Sequence, residues 1–191
     1  MKNSRSQVDI VGQQAMKNII RKILCSIRLD DNVFYAEKGE SDSLKHSLLI
    51  ILLSSLLAGI AGLSHLGAGI SIQIMIGALL DWFIWSYIVY LFGMSARFEN
   101  RNKTGYIAFI SVVGIASAPG IIRVVGIIPP LYLISNIVAN ILMIISMSLA
   151  VNIQFSYDDR IKALKVCVIA WVVMVISAFL LSTCAKGFGF I

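Results

Sequence analysis

The stretch GIASAPGIIRVVGIIPPLY, Gly114 to Tyr132, decides how many helices this chain builds. It lies inside a run of 46 residues, Tyr106 to Val151, whose single charged side chain is Arg123. A helix needs about 20 apolar residues to cross the roughly 30 Å hydrocarbon core of a bilayer. The run is long enough for two such helices and too long for one. The stretch therefore predicts a joint between two membrane spans.

The residues of this joint favour a tight hairpin. Pro129 and Pro130 suit the first turn of a helix, where a missing backbone N–H costs nothing. Residues 123–129 supply a short turn before it, and Pro119-Gly120 predicts a kink in the last turns of the preceding helix. A re-entrant or discontinuous helix is the alternative, because irregular backbone is tolerated at membrane depth where protein surrounds it.

The composition is typical of a membrane protein. Of the 191 residues, 58% are hydrophobic and 14% are charged, and the apolar residues form long runs, unlike those of soluble domains. Strand-like alternation is absent, and a helix satisfies its own backbone hydrogen bonds in hydrocarbon. We therefore predict an all-α integral membrane protein with five transmembrane helices in one bundle, at about residues 44–63, 70–92, 106–122, 130–151 and 163–183.

Lysine and arginine are distributed unevenly between the two sides of this predicted topology. Of the 16 in the chain, 14 lie before the first span or at its start, between spans two and three, or just before span five and at its start. Arg123 and Lys186 fall on the other side. Such residues collect in cytoplasmic segments. The N-terminus is therefore predicted in the cytoplasm and the C-terminus outside, in a cytoplasmic (inner) membrane, with residues 186–191 as a short outer tail.

Residues 1–43 are predicted as a cytoplasmic segment that contains an amphipathic helix at about residues 7–28. Apolar residues recur there at steps of three and four. A basic helix of this kind lies in the membrane interface, near anionic headgroups. Docking of the helix onto a partner protein is the alternative. The basic side chains predicted at the interface are Lys17, Arg21, Lys22 and Arg28.

Asp81 is the most informative polar residue, because it lies eleven residues into the second predicted span, near the bilayer centre. Counting depth at about 1.5 Å per residue brings Asn136 and Asn140, and also Ser111 and Ser54–Ser55, to a similar level. These residues predict a polar layer inside the membrane. Either the layer is a functional site, since intramembrane acids often are, or its members only hydrogen-bond helices together.

Other residues carry weaker signals. By the same depth count Arg123 is too shallow to pair with Asp81, and its side chain is expected to extend to the outer interface. Gly59 and Gly62 are three residues apart and so miss the GxxxG spacing. The three cysteines have no paired or metal-like spacing, so neither a disulfide nor a metal site is expected. No phosphate loop or dinucleotide fingerprint is present.

The stretch Gly114–Pro119 (GIASAP), followed by apolar residues and then Ile128-Pro129, resembles the third and fourth spans of the Yip family, the Ypt/Rab-interacting proteins. Members of that family typically have Gly-Tyr, three small or apolar residues and then proline in the third span. Residues 160–164 (RIKAL) are similar to bacterial members. The Asp-Leu-Tyr-Gly-Pro motif of eukaryotic members is missing, so the chain resembles the bacterial branch, for which no Rab partner is expected.

The resemblance implies a non-enzymatic multi-pass protein that organises membranes or binds partner proteins, as eukaryotic relatives do in vesicle trafficking. Its expected partners are the lipid bilayer, other membrane proteins and further copies of the chain. Neither a cofactor nor a nucleic acid is expected. From the residues alone, a transporter of a small solute, ion or lipid that uses Asp81 and Asn140 is the alternative. An intramembrane enzyme ranks below both, because no nucleophile–base pair is recognisable.

Overall fold

The computed structural model describes residues 16–37, 43–95, 105–157 and 159–187, with side chains for all of them except 64, 65 and 177–187. Within these ranges the chain is helical almost throughout and contains no β-strand. Four helical segments are long and apolar enough to cross a membrane: span 1 (Ser43–Leu63), span 2 (Leu66–Ser95), span 3 (Tyr106–Ile127) and span 4 (Pro129–Phe155). The other helices are the N-terminal helix (residues 16–27), the short helix Asp31–Glu37 and the C-terminal helix Arg160–Gly187.

These helices confirm the predicted all-helical class and agree with a membrane location. Spans 1 to 4 correspond to the first four predicted spans, and span 2 extends beyond its predicted range of 70–92 at both ends. The fifth predicted span falls on the C-terminal helix, which is not one of the four, so its crossing stays a prediction. Residues 7–15 of the predicted amphipathic helix and residues 188–191 of the predicted tail lie outside the described residues.

Spans 1 and 2 form an antiparallel hairpin that turns at Gly67. The helix Ser43–Ser95 is broken there by a φ of 79° and a ψ of 165°, a left-handed conformation that glycine adopts readily because it has no Cβ. Gly59 lies directly against Ser71 and Met75 of span 2. In one straight helix these residues would be about 18–24 Å away from Gly59. The contact therefore requires that span 2 folds back along span 1.

Gly59 and Gly62 pack against span 2 although their spacing is not that of GxxxG. Both glycines face span 2, and a Cβ atom added at Gly62 would lie 3.3 Å from Ser71 Oγ. Residues three apart share a helix face as residues four apart do. Small residues at this spacing therefore allow the two helices to pack closely.

Substituting Gly59 by alanine tests this close approach. The new methyl group would lie 2.9 Å from both Met75 Cβ and the Ser71 carbonyl oxygen. Overpacking of this kind costs about 1–3 kcal/mol, more than the roughly 1 kcal/mol that alanine gains over glycine in a helix. We expect Gly59→Ala to lower the melting temperature of the detergent-solubilised protein.

Gly69→Ala is the matched control, because a Cβ atom at Gly69 would have no heavy atom of the described structure within 4 Å. We expect this variant to melt at or above the temperature of the unmodified chain. A Gly59→Ala protein that melts as high as Gly69→Ala would contradict the close packing of spans 1 and 2.

Span 3 is the central helix of the bundle. Buried residues make up 61% of its most apolar window, the largest share among the four spans. Gly114 packs on Ser47, and Gly120 packs on Ser54. Because the residue numbers of these pairs rise together, spans 1 and 3 run parallel. The turns at Gly67 and Ile128 therefore lie at the same end of the bundle.

Span 3 changes its winding halfway along. It is α-helical over Tyr106–Val113 and 3-10 helical over Gly114–Ile127, with Pro119 inside the 3-10 segment. Runs of 3-10 helix beyond three or four residues are uncommon. Proline cannot donate the backbone hydrogen bond that an α-helix needs at this point. In a 3-10 helix every third residue falls on one row; the row here is Gly114, Ser117, Gly120, Arg123 and Gly126.

The joint between spans 3 and 4 is shorter than the predicted turn at residues 123–129. Helical structure continues through Arg123 to Ile127, and only Ile128 is extended, with φ −82° and ψ 117°. Pro129 and Pro130 begin span 4 in a 3-10 turn, as their helix-start chemistry predicts. The polar arginine suggested a turn in water, but its side chain has a partner inside the bundle.

The N-terminal helix packs against the bundle near the start of the 3-10 segment of span 3. The contact is made at the backbone carbonyl of Ile115. Ser26 Oγ donates to that carbonyl at 3.0 Å and lies 3.1 Å from Ser146 Oγ. Ser26 and Ser146 are both fully buried. Two serine hydroxyls thus link this helix to spans 3 and 4.

The predicted interfacial location is wrong for Lys22. This side chain is 7% exposed, and its Nζ lies 3.0 Å from His46 Nδ1 of span 1. Ile23 packs against the core on the same side. Apolar spacing alone could not show that a lysine and a serine would share the buried face. The side chains that face outward instead are Met16, Lys17, Ile20, Arg21, Leu24 and Arg28.

Ser26→Ala should loosen the N-terminal helix. The substitution removes a buried donor to the Ile115 carbonyl and the contact with Ser146, and an unpaired buried polar group costs about 1–3 kcal/mol. We expect amide hydrogen exchange in residues 16–27 to rise by tenfold or more. Ser95→Ala is the control, since its exposed hydroxyl bonds only within its own helix. Unchanged exchange in Ser26→Ala would show that the two hydroxyls do not hold the helix.

Candidate functional site

A cavity of about 380 Å³ lies between the helices, with residues from all four spans and the C-terminal helix in its wall. Half of the fourteen residues in this wall are polar or aromatic. We call it the polar cavity, and its polar and aromatic lining residues are Asp81, Trp82, Trp85, Arg123, Asn136, Asn140 and Trp171.

Span 2 contributes one continuous stripe to the polar cavity. Ile74, Ala78, Asp81 and Trp85 follow each other at steps of three and four residues, so they share one helix face. Gly77 and Ala78 have little or no side chain, which leaves space beside the Asp81 carboxylate. Only 22% of the most apolar window of span 2 is buried. The polar cavity therefore lies toward one side of the bundle.

Arg123 is held inside the bundle. Its Nη2 donates to Asn140 Oδ1 at 2.7 Å and lies 3.6 Å from Met143 Sδ. Its Nε is buried and has no hydrogen-bond partner among the described residues. The expectation that this side chain extends to the outer interface is therefore wrong.

The 3-10 winding of span 3 explains why Arg123 points inward. An α-helix turns by about 100° per residue and a 3-10 helix by about 120°. Over the nine residues from Gly114 to Arg123 the two windings differ by about 180°. A side chain that an α-helical projection places on the outer face therefore lies on the inner face, in the row of Gly114 and Gly120, which packs against span 1.

Asp81 is the acidic group of the polar cavity. The residue is exposed, so its carboxylate is accessible rather than enclosed by packing. Arg123 lines the same cavity. Within the described ranges it forms neither a hydrogen bond nor an ion pair. The two charges therefore share one cavity without direct contact.

The two asparagines of span 4 have different roles. Asn140 accepts a hydrogen bond from Arg123, whereas Asn136 donates from Nδ2 to the Tyr132 carbonyl of its own helix at 2.8 Å. Both residues line the polar cavity with Asp81. Three of the four residues predicted for an intramembrane polar site are thus brought together.

Ser111, the fourth predicted residue, is elsewhere. Its carbonyl accepts hydrogen bonds from Ser43 Oγ at 2.7 Å and Ser47 Oγ at 2.6 Å, and its hydroxyl donates to Ala108. Ser54 packs on Gly120 instead of lining the cavity. Depth counting gives the level of a residue in a helix but not its direction, so these serines were misplaced.

Trp82 and Trp85 of span 2 were not among the predicted site residues, and they lie on the wall of the polar cavity with Trp171. Trp85 Nε1 donates to the Cys167 carbonyl of the C-terminal helix at 3.3 Å. Trp82 is 4% exposed, and its Nε1 has no partner among the described residues. The sequence contained a signal for this placement, because two of the three tryptophans follow Asp81 by one and four residues.

No known protein family, curated protein or solved structure matches this chain. The resemblance to the Yip family therefore stays a prediction, and the polar cavity must be interpreted from its own chemistry.

Asn140→Ala should destabilise the protein more than Asn136→Ala. Asn140 accepts a hydrogen bond from a partly buried guanidinium, and a hydrogen bond to a charged group is worth about 1.5–3 kcal/mol. Asn136 bonds only to its own helix, so we expect its removal to cost about 1 kcal/mol or less. Thermal unfolding in detergent measures both effects. Equal losses would contradict the inward position of Arg123.

Proposed function

We propose that this chain is a multi-pass protein of the cytoplasmic membrane that binds a small polar molecule in the polar cavity and carries it across the bilayer. The observation that carries the proposal is the presence of Asp81 and Arg123 on one cavity wall. This is the transporter interpretation of the sequence. We place transport before a role in membrane organisation because the geometry of the polar cavity bears directly on transport.

The energetics of charge in a membrane support this function. An aspartate or arginine at the centre of a membrane helix costs about 2.5–3.5 kcal/mol. Helix association explains the Arg123–Asn140 hydrogen bond. Helix association gives no role to the accessible Asp81 carboxylate or to the buried Trp82 N–H. A cavity that admits water and a polar ligand accounts for all of these groups.

In this proposal the C-terminal helix is the fifth span. It supplies Trp171 and Met174 to the polar cavity, so the cavity wall is incomplete without it. Arg160, Lys162 and Lys165 at its start then lie in the cytoplasm with the N-terminus. The C-terminus lies outside.

A role in membrane organisation, as the Yip resemblance implies, is the second candidate. The observation in its favour is the outward face of the N-terminal helix. Met16, Ile20 and Leu24 are 65%, 51% and 51% exposed, next to the exposed Lys17 and Arg21. Such a face suits the headgroup region of a membrane or a partner protein.

Cysteine accessibility tests the carrier proposal. Asp81→Cys is made in a chain whose Cys25, Cys167 and Cys184 are replaced by serine or alanine. We expect a charged, membrane-impermeant methanethiosulfonate reagent to modify the introduced thiol in vesicles of both orientations, because a carrier exposes its site to each side in turn. Labelling is read by mass spectrometry.

Leu80→Cys is the matched control. Leu80 is the preceding residue of span 2 and is 55% exposed on the side that would face lipid, so the charged reagent should not reach a thiol placed there. Modification of the Asp81→Cys variant from one side only would favour a static binding site over a carrier. Absence of modification from both sides would refute a hydrated cavity.

A further inference from the structure

We propose that the polar cavity binds a zwitterion, with an ammonium group at Asp81 and the tryptophans and a phosphate or carboxylate group at Arg123. This inference rests on the proposed function and specifies the chemical class of its ligand. It follows from which polar atoms of the wall are already paired and which are not.

The anionic end is indicated by the guanidinium of Arg123. Nη2 is committed to Asn140, whereas Nε is buried without a partner in the described part of the chain. A guanidinium presents its N–H groups as a planar fork that matches a phosphate or carboxylate. An anion beside Nε would satisfy this donor without displacing Asn140.

The cationic end is indicated by Asp81 and its neighbours. The carboxylate forms no hydrogen bond or ion pair with any described residue and remains accessible. Trp82 and Trp85 follow it on the same helix, and Trp171 completes the wall. Ammonium groups are attracted both to carboxylates and to the faces of tryptophan rings. An aspartate among three tryptophans therefore suits an ammonium group.

A zwitterion fits this wall better than either ion alone. A simple cation at Asp81 would leave the Arg123 guanidinium without an anionic partner, and a simple anion would leave Asp81 uncompensated. The buried Nε of Arg123 has no partner among the described residues, which is costly, and the accessible Asp81 carboxylate can pair with a cation that enters the cavity. A zwitterion would neutralise both residues, and the volume of about 380 Å³ suits a small molecule. The same chemistry occurs in free solutes and in phospholipid headgroups.

Tryptophan fluorescence reports directly on this cavity, because all three tryptophans of the chain line it. The full chain is reconstituted in nanodiscs of phosphatidylglycerol, a lipid without an ammonium group. It is then titrated with two zwitterions, glycerophosphocholine and glycine betaine, and with the separate ions choline and glycerol 3-phosphate. We expect at least one zwitterion to change the emission saturably and to bind tenfold or more tightly than both separate ions.

The source of the headgroup is distinguished by the bilayer. In nanodiscs of phosphatidylcholine, a lipid ligand would occupy the cavity before any addition, so the free zwitterion should cause no further change. A free solute as ligand would give the same titration in both bilayers. Either result supports the zwitterion, and each assigns a different source.

Two variants test the assignment of the two ends. Asp81→Asn should weaken zwitterion binding tenfold or more and abolish the response to choline, while the response to glycerol 3-phosphate persists. Arg123→Gln should also weaken zwitterion binding tenfold or more, but it should abolish the response to glycerol 3-phosphate while the response to choline persists. Leu80→Ala, on the outer face of span 2, should bind as the unmodified chain does. If Arg123→Gln does not fold, the response of Asp81→Asn alone tests whether the carboxylate binds the ammonium end.

Three results would overturn the inference. These are the absence of a saturable change with either zwitterion in both bilayers, equal binding of a separate ion, and unchanged binding by Asp81→Asn. Reaction of the Asp81→Cys variant with the charged reagent would then show that only the zwitterion is wrong. If that variant were unreactive as well, the cavity proposal would have failed with it.

Discussion

The winding of span 3 is the constraint on which the rest of the structure depends. Pro119 cannot make the hydrogen bond of an α-helix, and the segment Gly114–Ile127 is a 3-10 helix. Because a 3-10 helix repeats every three residues, its glycines at 114, 120 and 126 fall on one row. Gly114 and Gly120 pack on serines of span 1, and Gly126 packs on span 4. The 3-10 winding therefore places a row of small residues where span 3 packs against spans 1 and 4.

The same winding determines the chemistry of the polar cavity. Arg123 belongs to the row of glycines, so it points toward Asn140 and the cavity that Asp81 lines from span 2. The same segment also holds the N-terminal helix, because the carbonyl of Ile115 accepts the Ser26 hydroxyl. The 3-10 segment is therefore linked to a partly buried guanidinium at Arg123 and to a docked helix at Ile115. The cavity and the N-terminal helix are coupled through span 3.

Much of the architecture could be predicted from the sequence, since apolar runs of membrane length and a proline pair at a helix start are local signals. Asp81, Asn136 and Asn140 were also placed together, because position along a helix converts directly into depth. Ser111 and Lys22 show where such reasoning fails. Ser111 has a similar predicted depth, but its hydroxyl donates to Ala108 of its own helix and does not line the cavity, and Lys22 lies on the buried face of its helix beside His46. Direction around a helix axis depends on partners that are distant in the sequence.

The sequence by itself therefore determined the helical class of the protein and the approximate positions of its four membrane-length helices. These properties depend on hydrophobicity and on residue counts along one segment. The tertiary structure decided that Arg123 points inward, that three tryptophans share a cavity with two charges, and that the N-terminal helix packs against the bundle. The period of three in Gly114, Ser117, Gly120, Arg123 and Gly126 was visible in the sequence. It became meaningful only when packing against spans 1 and 4 showed which helical winding the segment adopts.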